Sequence, residues 1–147
     1  MNYFILCYSK DNFDVAMKEG LIGFPESDKK VATLIKKGDR VIFYVGKETV
    51  NSGPAPKDKI QKFLGSAEVV SENFYDNRLY FKPRGDEIFA SRFKIKVFNK
   101  SLRVPIKDML SKLKFITNTL YWALPLRNGW VQSSEKDWEL IHNTKAN

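Results

Sequence analysis

The alternation of apolar and polar residues predicts a chain built mainly from strands. Residues 3–8 are apolar on both faces, which is typical of a central strand covered from both sides. Further strands are predicted at residues 40–45, 63–71, 79–82 and 89–97. In the last of these, apolar residues alternate with Arg92, Lys94 and Lys96, so we expect a half-buried strand with a basic outer face.

Helical spacing is confined to short segments. We expect a first short helix that is capped by Asp11 or Asn12 and ends at Gly20. Glycine and proline in residues 21–25 predict a loop directly after it. Further short helices are predicted around residues 31–35, after Pro105 and after Ser134.

The order of these elements favours an α+β fold. About five or six strands with short helices fit a curved, mostly antiparallel sheet or a small barrel. Residues 46–61 are rich in Gly, Pro, Ser and Lys and predict a long flexible loop. Lys57 and Lys59 of this loop, with Lys62 directly after it, form a candidate nucleic-acid clamp. Neither side of this loop is large enough to fold alone, so we expect one domain over residues 1–147.

The charge balance indicates a class of partner. The 147 residues contain 25 Lys and Arg against 17 Asp and Glu, which gives a net charge of +8 and a pI near 9.5. Such an excess favours polyanions through counterion release, although lysine-rich surfaces also serve solubility. No apolar run is long enough for a membrane span, and the single cysteine makes a cytoplasmic location the expectation.

Catalytic and metal-binding signatures are missing from the sequence. The only histidine, His142, lies near the C-terminus, and nothing in its surroundings favours a catalytic triad. Cys7 lies inside an apolar strand and is expected to be an inert core residue. There is no Cys/His cluster with metal-ligand spacing and no glycine-rich phosphate loop. We therefore expect a binding protein without catalytic residues, cofactor or metal.

Aromatic residues are the remaining candidates for a site. Rings stack on nucleic-acid bases while neighbouring Arg and Lys side chains hold phosphates. Rings at predicted loops and strand ends are Phe24, Tyr44, Tyr80, Trp122 and Trp130. A ring in a small domain usually belongs to the core, but Trp122 stands in a polar setting near Asn118, whose amide can read a base edge.

Three ordered motifs resemble those of the EVE-domain family. They are the Gly-Asp strand of residues 37–44, the Leu-Lys-Phe-Ile-Thr-Asn run of residues 113–118 followed by Trp122, and the Glu-Lys-Asp-Trp-Glu-Leu-Ile run of residues 135–141. The resemblance covers nearly the whole chain, including residues 3–25 at its start. It implies a PUA-like fold, a small pseudo-barrel of about five or six mostly antiparallel strands flanked by short helices. This fold is similar to that of the YTH domains, which read N6-methyladenine.

The resemblance also implies where a base would bind. The pocket would comprise Tyr8, Ser9, Asn12, Ile22, Gly23, Phe24, Asn118 and Trp122. Ser9, Asn12 and the backbone at Gly23 would bond the base edge. Phe24 and Trp122 would supply ring faces. Many relatives have tryptophan where this chain has Ile22, so another ring compensates, the ligand differs, or the affinity is lower.

The combined features predict a nucleic-acid-binding module that reads a methylated cytosine or adenine, single-stranded or flipped from a duplex, and does no chemistry on it. The residues expected to contact phosphate are Arg84, Arg92, Lys94, Lys96, Arg103 and Arg127. Three other functions stay open at this point. They are a module for tRNA or structured RNA without a modification requirement, an enzyme acting on modified nucleotides, and an adaptor that binds protein through its sheet edge.

Overall fold

Residues 1–51 and 59–144 are described by a computed structural model of the chain. Its strands are β1 (Tyr3–Tyr8), β2 (Leu21–Phe24), β3 (Arg40–Lys47), β4 (Lys59–Val69), β5 (Phe74–Tyr75), β6 (Ser91–Asn99), β7 (Val104–Pro105) and β8 (Trp130–Ser133). Its α-helices are α1 (Lys10–Glu19), α2 (Lys29–Leu34) and α3 (Glu135–His142). Six strands form one curled mixed sheet in the order β2-β6-β4-β3-β1-β8, while β5 pairs with β6 and β7 with β4. This half-barrel confirms the predicted α+β fold.

One neighbouring pair, β1 and β3, runs parallel, with Tyr3 opposite Arg40 and Tyr8 opposite Val45. A parallel pair needs a crossover connection, which α1, β2 and α2 supply here. The other neighbouring pairs in the six-strand order are antiparallel, as expected. The crossover brings the carboxyl end of β1 next to α1 and β2.

Side chains on the two faces of β1 and β3 enter two different hydrophobic clusters. Phe4, Leu6 and Phe43 belong to a first cluster, which residues of α1, α2, β2 and β6 complete. Ile5 and Ile42 belong to a second cluster, which contains residues of α3 and of the segment 102–126. Successive side chains of a strand point to opposite faces, so this two-sided burial explains the unbroken apolar sequence of both strands.

The first helix begins earlier than the sequence predicts. Ser9, rather than Asp11 or Asn12, is the N-cap of α1, with φ −73° and ψ 158°. Its hydroxyl donates to the Asp11 carboxylate instead of accepting a bond from a helix N–H. Gly20 ends the helix as expected, at φ 67°, a left-handed conformation that glycine adopts without a steric penalty.

In two segments the secondary structure differs from the prediction. Residues 21–25 are not a loop, because Leu21–Phe24 form β2, which is wholly buried and pairs with β6. A short strand buried on both faces has no alternation that would reveal it. Conversely, residues 79–82 form no strand. There Phe81 is buried but its neighbour Lys82 is exposed, so the apolar run reflects one anchored ring and not a pleated segment.

The helix predicted after Pro105 is reduced to a single 3-10 turn, Ile106–Asp108. Pro105 itself lies in β7, and successive turns carry the chain on from Met109 to Leu113. The helical spacing nevertheless identified core positions correctly, since Ile106, Met109 and Leu113 are all buried. In 3-10 turns, which are closed by hydrogen bonds between residues i and i+3, side chains three residues apart also lie on one side. A spacing of three or four residues between apolar positions therefore does not specify an α-helix.

Strands occupy both ends of the segment 46–61, which the sequence predicts to be a loop. β3 extends to Lys47, and β4 begins at Lys59. Lys62 lies within β4 opposite Val45, so it belongs to the sheet and not to a loop clamp. Residues 52–58, including Lys57, lie outside the described residues.

Candidate nucleic-acid interface

Six of the predicted base-binding residues meet where β1 ends. We call these six, Tyr8, Ser9, Asn12, Ile22, Gly23 and Phe24, the β1–β2 corner. They are contributed by the end of β1, the first turn of α1 and β2, which the crossover brings together. All six are buried, and Asn12 is only 1% exposed.

Polar atoms of the β1–β2 corner are hydrogen-bonded within the protein. The Tyr8 hydroxyl donates to the Gly23 carbonyl oxygen at 2.7 Å and accepts from the Gly23 N–H at 2.9 Å. Asn12 Nδ2 donates to the Lys82 carbonyl oxygen at 3.0 Å, and Asn12 Oδ1 accepts from the Lys82 N–H at 2.7 Å. Burial raises the pKa of the Tyr8 phenol, against the opposing effect of its bond to Gly23. The hydroxyl therefore stays neutral and both donates and accepts.

Two rings, Phe81 and Phe89, cover the β1–β2 corner. A Cβ atom on Gly23 would lie 2.9 Å from Phe81 Cε2 and 3.0 Å from the Phe89 carbonyl oxygen, so only glycine permits this close approach. The Phe81 ring stands edge-on to Tyr8 with centroids 6.2 Å apart, and lies nearly parallel to Phe89 at 5.9 Å. A planar aromatic ring therefore fills the space over Gly23.

The other two predicted base-binding residues, Asn118 and Trp122, lie in the loop of residues 117–127. Asn118 Oδ1 accepts from the N–H groups of Leu120 at 2.9 Å and Tyr121 at 3.3 Å, so this amide shapes the loop. Trp122 is half-buried against the second cluster, whereas the apolar residues of the β1–β2 corner belong to the first. The two groups of predicted site residues thus pack against different parts of the core.

The 117–127 loop presents an apolar surface to solvent. Its exposed large side chains are Leu120 at 77%, Tyr121 at 58% and Leu124 at 56%. A contiguous exposed apolar patch is a candidate surface for binding a partner. This loop is therefore accessible to a base or another flat apolar group, unlike the buried β1–β2 corner.

A buried carboxylate ties the start of this loop region to the last helix. Asp137 Oδ2 accepts from the N–H groups of Lys114 at 2.8 Å and Phe115 at 3.2 Å. The Asp137 N–H donates in turn to Ser134 Oγ, the N-cap of α3, at 3.1 Å. These bonds give a physical reason why the motifs at residues 113–118 and 135–141 occur together, since one supplies the donors and the other the acceptor.

The predicted phosphate contacts divide by exposure. Five of them are exposed, namely Arg84, Lys94, Lys96, Arg103 and Arg127. Arg92 is fully buried, which does not fit the predicted basic outer face. Its Nε donates to the Phe89 carbonyl oxygen at 2.8 Å and Nη2 donates to the Arg78 carbonyl oxygen, while the Tyr80 ring packs on its guanidinium. Alternation along β6 fails here because the segment 76–81 covers that face of the strand.

The two reactive side chains noted in the sequence have structural partners. Ser66 Oγ lies 2.8 Å from His142 Nδ1, and the His142 ring stacks on Trp138 with centroids 4.6 Å apart. Ser66 is fully buried, so this pair is closed to a substrate. Burial raises the pKa of the Cys7 thiol to about 12, which keeps it protonated at neutral pH.

Residues 1–51 and 59–144 contain neither a candidate metal site nor a helix that could cross a membrane. Within them, no group of three His, Cys, Asp or Glu side chains is arranged to hold a metal ion. The helices in the same ranges are too short or too polar to cross a membrane.

The sequence as a whole matches the model of one family, the EVE domain, over residues 2–144. The chain belongs to the EVE-domain family. UPF0310 protein PH1033 of Pyrococcus horikoshii is 31% identical to it over 144 residues, which covers 96% of this chain and 97% of that protein.

Solved structures show that this EVE domain shares its fold with YTH domains. A crystal structure of the Mmi1 YTH domain has a TM-score of 0.60 at 16% identity, over 96% of this chain and 92% of that one. A complex of the Mmi1 YTH domain with RNA has a TM-score of 0.51 at 19% identity, over 77% of this chain and 66% of that one. Identities this low establish a common fold and leave the ligand of the EVE domain to be argued from its own residues.

Phe81 and Phe89 are the residues of this EVE domain that sequence reasoning missed as part of the site. Both lie in apolar runs, but those runs were assigned to strands, so their rings were expected in the sheet. The signal that points to them is Gly23, because a glycine inside a buried strand indicates the close approach of another group.

Proposed function

We propose that this EVE domain is a nucleic-acid-binding module that recognises a modified base, of the methylated cytosine or adenine class, and does no chemistry on it. Family membership, the net charge of +8 and the fold shared with the Mmi1 YTH domain, which has been solved with RNA, support nucleic acid as the partner. A cytoplasmic location, expected from the single cysteine, stays a prediction.

The observation that carries the proposal is the planar ring over Gly23. Phe81 lies there in contact with two rings, edge-on to Tyr8 at 6.2 Å and stacked on Phe89 at 5.9 Å. A base is also a planar ring, and in this place it would stack on Phe89 and meet Tyr8 edge-on. We therefore propose that a base enters the β1–β2 corner by displacing Phe81.

Groups that would read the base edge lie around the same place. The Tyr8 hydroxyl and the Gly23 backbone carry donors and acceptors that now bond each other. The Asn12 side chain also carries a donor and an acceptor, which now bond to the Lys82 backbone. Both become free to bind a base if the backbone at Lys82 moves together with Phe81. In this proposal Ser9 also bonds the edge. Ile22 and Phe24, which alternate with Gly23 along β2, pack behind the strand in the first cluster. Asn118 and Trp122 would contact the nucleic-acid strand outside the corner, because their loop packs against the second cluster. Neutral groups suit this task, because an unpaired one rejects the wrong base.

The energies explain why a modification would matter. Exposing the Phe81 ring costs about 1.5–3 kcal/mol, and stacking a base in its place returns about 1–3 kcal/mol. Because these two free energies nearly cancel, the binding free energy of an unmodified base in the corner is close to zero. A buried methyl group adds about 0.8 kcal/mol, roughly a fourfold gain in affinity.

Phosphates would be held by the exposed cations. Arg84, Lys94, Lys96, Arg103 and Arg127 are exposed, and Arg92 is buried. Arg84 would have to leave Asp28 and Glu87, with which it forms salt bridges, to bind a phosphate. The contribution of the exposed cations is independent of sequence and weakens with salt. Salt therefore distinguishes phosphate binding from base recognition. At high salt, the preference for a methylated base should persist while non-specific binding to phosphates is lost.

A fluorescence titration with matched single-stranded oligonucleotides tests the proposal. The panel contains DNA and RNA strands with cytosine, adenine or their methylated forms at one position, at low salt and in 0.5 M salt. We expect one methylated strand to bind several-fold more tightly than its unmethylated match at both salt concentrations. Equal binding of all strands, abolished by salt, would contradict a reader and leave only basic adhesion. A change in oligonucleotide mass on incubation would indicate an enzyme instead.

Substitution of Trp122 tests the contribution of the loop. Trp122→Ala should weaken binding of the preferred methylated strand by roughly 1–3 kcal/mol, because one stacking face is lost. Trp122→Phe is the matched control, which keeps a ring. Wild-type binding by a folded Trp122→Ala variant would show that this ring has no part in binding. If circular dichroism shows that Trp122→Ala no longer folds, the exposed Tyr121→Ala is the loop variant to be titrated instead.

A further inference from the structure

A concave surface lies close to the buried β1–β2 corner. It is a cavity of about 460 Å³ between α2, the chain after β2 and the β5–β6 edge of the sheet. A volume of this size falls in the range of small-molecule sites. Pro25, Ile35 and Ser91 are buried residues of its lining, and Tyr75 stands at its edge with 67% of its surface exposed.

Strand pairing connects this cavity to the β1–β2 corner. Phe24 of β2 lies opposite Ser91 of β6, and Ser91 lies opposite Tyr75 of β5. The three residues therefore form one row across three neighbouring strands. Pro25, which follows Phe24 directly, lines the cavity as well. Gly23, which pairs with Arg92, faces the other side of the sheet from this row. Because β2 is the edge strand of the sheet, a ligand chain that leaves the corner would reach the cavity by turning around this edge at Phe24 and Pro25.

Four charged side chains line the cavity, and one of them, Lys36, donates from Nζ to the Thr33 carbonyl oxygen at 3.1 Å. Lys29 and Lys36 line it together with Glu26 and Glu72. Across residues 1–51 and 59–144, none of these four side chains takes part in a salt bridge. The exposed Tyr75 ring likewise packs on no other ring in those ranges. The cavity thus offers ammonium groups, carboxylates and a free aromatic face.

Hydrogen bonds fix the walls of the cavity. Asn73 Nδ2 donates to Ser91 Oγ at 2.9 Å and to the Arg92 carbonyl oxygen at 3.3 Å, which ties the segment before β5 to β6. On the opposite wall, the Lys36 N–H donates to Oδ2 of the buried Asp39 at 2.9 Å. A ligand would therefore enter a surface that is already ordered, which lowers the entropic penalty of binding.

We propose that this cavity binds the nucleotide that neighbours the recognised base on a single strand, with its base on Tyr75 and its phosphate at Lys29 and Lys36. A nucleotide matches the lining because it combines an aromatic face, an anionic group and amino groups that Glu26 and Glu72 can accept from. This inference rests on the proposed function, and it adds a strand path that runs from Phe24 towards α2.

The test measures fluorescence anisotropy of a nine-nucleotide single strand that carries the methylated base the wild type prefers. Tyr75→Ala should weaken binding about tenfold, because a stacking face is lost, while Tyr75→Phe should bind as the wild type does. The double variant Lys29→Glu/Lys36→Glu should bind more weakly than Lys18→Glu/Lys107→Glu, which makes the same charge change at exposed lysines elsewhere. It should also show a smaller dependence of affinity on salt.

A parallel titration with the free methylated nucleoside separates this inference from the proposed function. The nucleoside fills only the base site, so Tyr75→Ala should bind it like the wild type. If the wild type discriminates methylated strands but the Tyr75 and lysine variants match their controls, the cavity proposal is overturned and the reader stands. If the wild type binds no oligonucleotide, both are overturned.

Discussion

The β1–β2 corner and the 117–127 loop carry the two groups of predicted base-binding residues, and they differ in how their side chains are used. In the corner, the polar atoms of Tyr8 and Asn12 bond to backbone groups and a ring covers Gly23. In the loop, Leu120 and Tyr121 are largely exposed, and Trp122 is half-buried. One region is closed and internally satisfied, and the other is open.

This difference indicates how recognition is divided. A closed site rejects bases that cannot replace the bonds and contacts they disrupt, so the corner suits discrimination. An open apolar loop offers contact without such a penalty, so it suits capture of a strand. The comparison therefore predicts that changes in the corner alter stability and selectivity, whereas changes in the loop alter affinity alone.

Truncation of the covering ring should have the largest effect. Phe81→Ala removes a buried ring between Tyr8, Gly23 and Phe89 and should lower the free energy of unfolding by about 3–5 kcal/mol. Tyr121→Ala, in the exposed loop, should change it by less than about 0.5 kcal/mol. Urea denaturation monitored by circular dichroism measures both, and equal losses would remove the contrast between the two regions.

The same variant tests whether Phe81 occupies the base site. Phe81→Ala leaves a space over Gly23 that a base can enter without displacing a ring. We therefore expect the variant to bind the methylated nucleoside several-fold more tightly than the wild type at a temperature where both are folded. Unchanged or weaker nucleoside binding by the folded variant would place base recognition elsewhere.

Two asparagines, Asn12 in the corner and Asn118 in the loop, allow a second comparison of stability between the two regions. Asn12→Ala leaves the Lys82 backbone N–H and carbonyl without their partner and should lower the free energy of unfolding by about 1–3 kcal/mol. Asn118→Ala removes bonds to two backbone N–H groups in an exposed loop, where water replaces the lost acceptor, so the loss should stay below about 1 kcal/mol. Thermal unfolding of the two variants measures both losses of stability. A larger loss for Asn118→Ala than for Asn12→Ala would contradict the conclusion that the corner is closed.

Acid sensitivity should report on the segment that carries Phe81. Hydrogen bonds from Arg78 hold the pKa of Asp76 at about 2, below its ordinary 3.8. A depressed carboxyl pKa stabilises the fold above the unfolded value, and this contribution is lost as pH falls from about 4 to about 2. Asp76→Asn should therefore show a flatter decline of stability in that window. The exposed Asp86→Asn is the control, and parallel curves for Asp76→Asn and wild type would show that the pair contributes nothing.

Much of the fold follows from local sequence signals, and the closed state of the corner does not. The central strand at residues 3–8, the stop at Gly20 and the Ser134 cap were predictable because each depends on neighbouring residues. Burial of Arg92 and the cover of Phe81 over Gly23 depend on a segment distant in sequence that folds back over β2 and β6. An alternating pattern does not reveal a second layer that covers its polar face.

The amide signal of Gly23 offers the most direct measurement of the central claim. Two-dimensional ¹⁵N NMR spectra of the labelled protein are recorded with a methylated strand and with its unmethylated match at the same concentrations. If a methylated base displaces Phe81, the Gly23 and Lys82 amides, which bond to Tyr8 and Asn12, shift strongly with the methylated strand and weakly with its match. Shifts confined to exposed basic residues and identical for both strands would contradict recognition of a modified base at the β1–β2 corner.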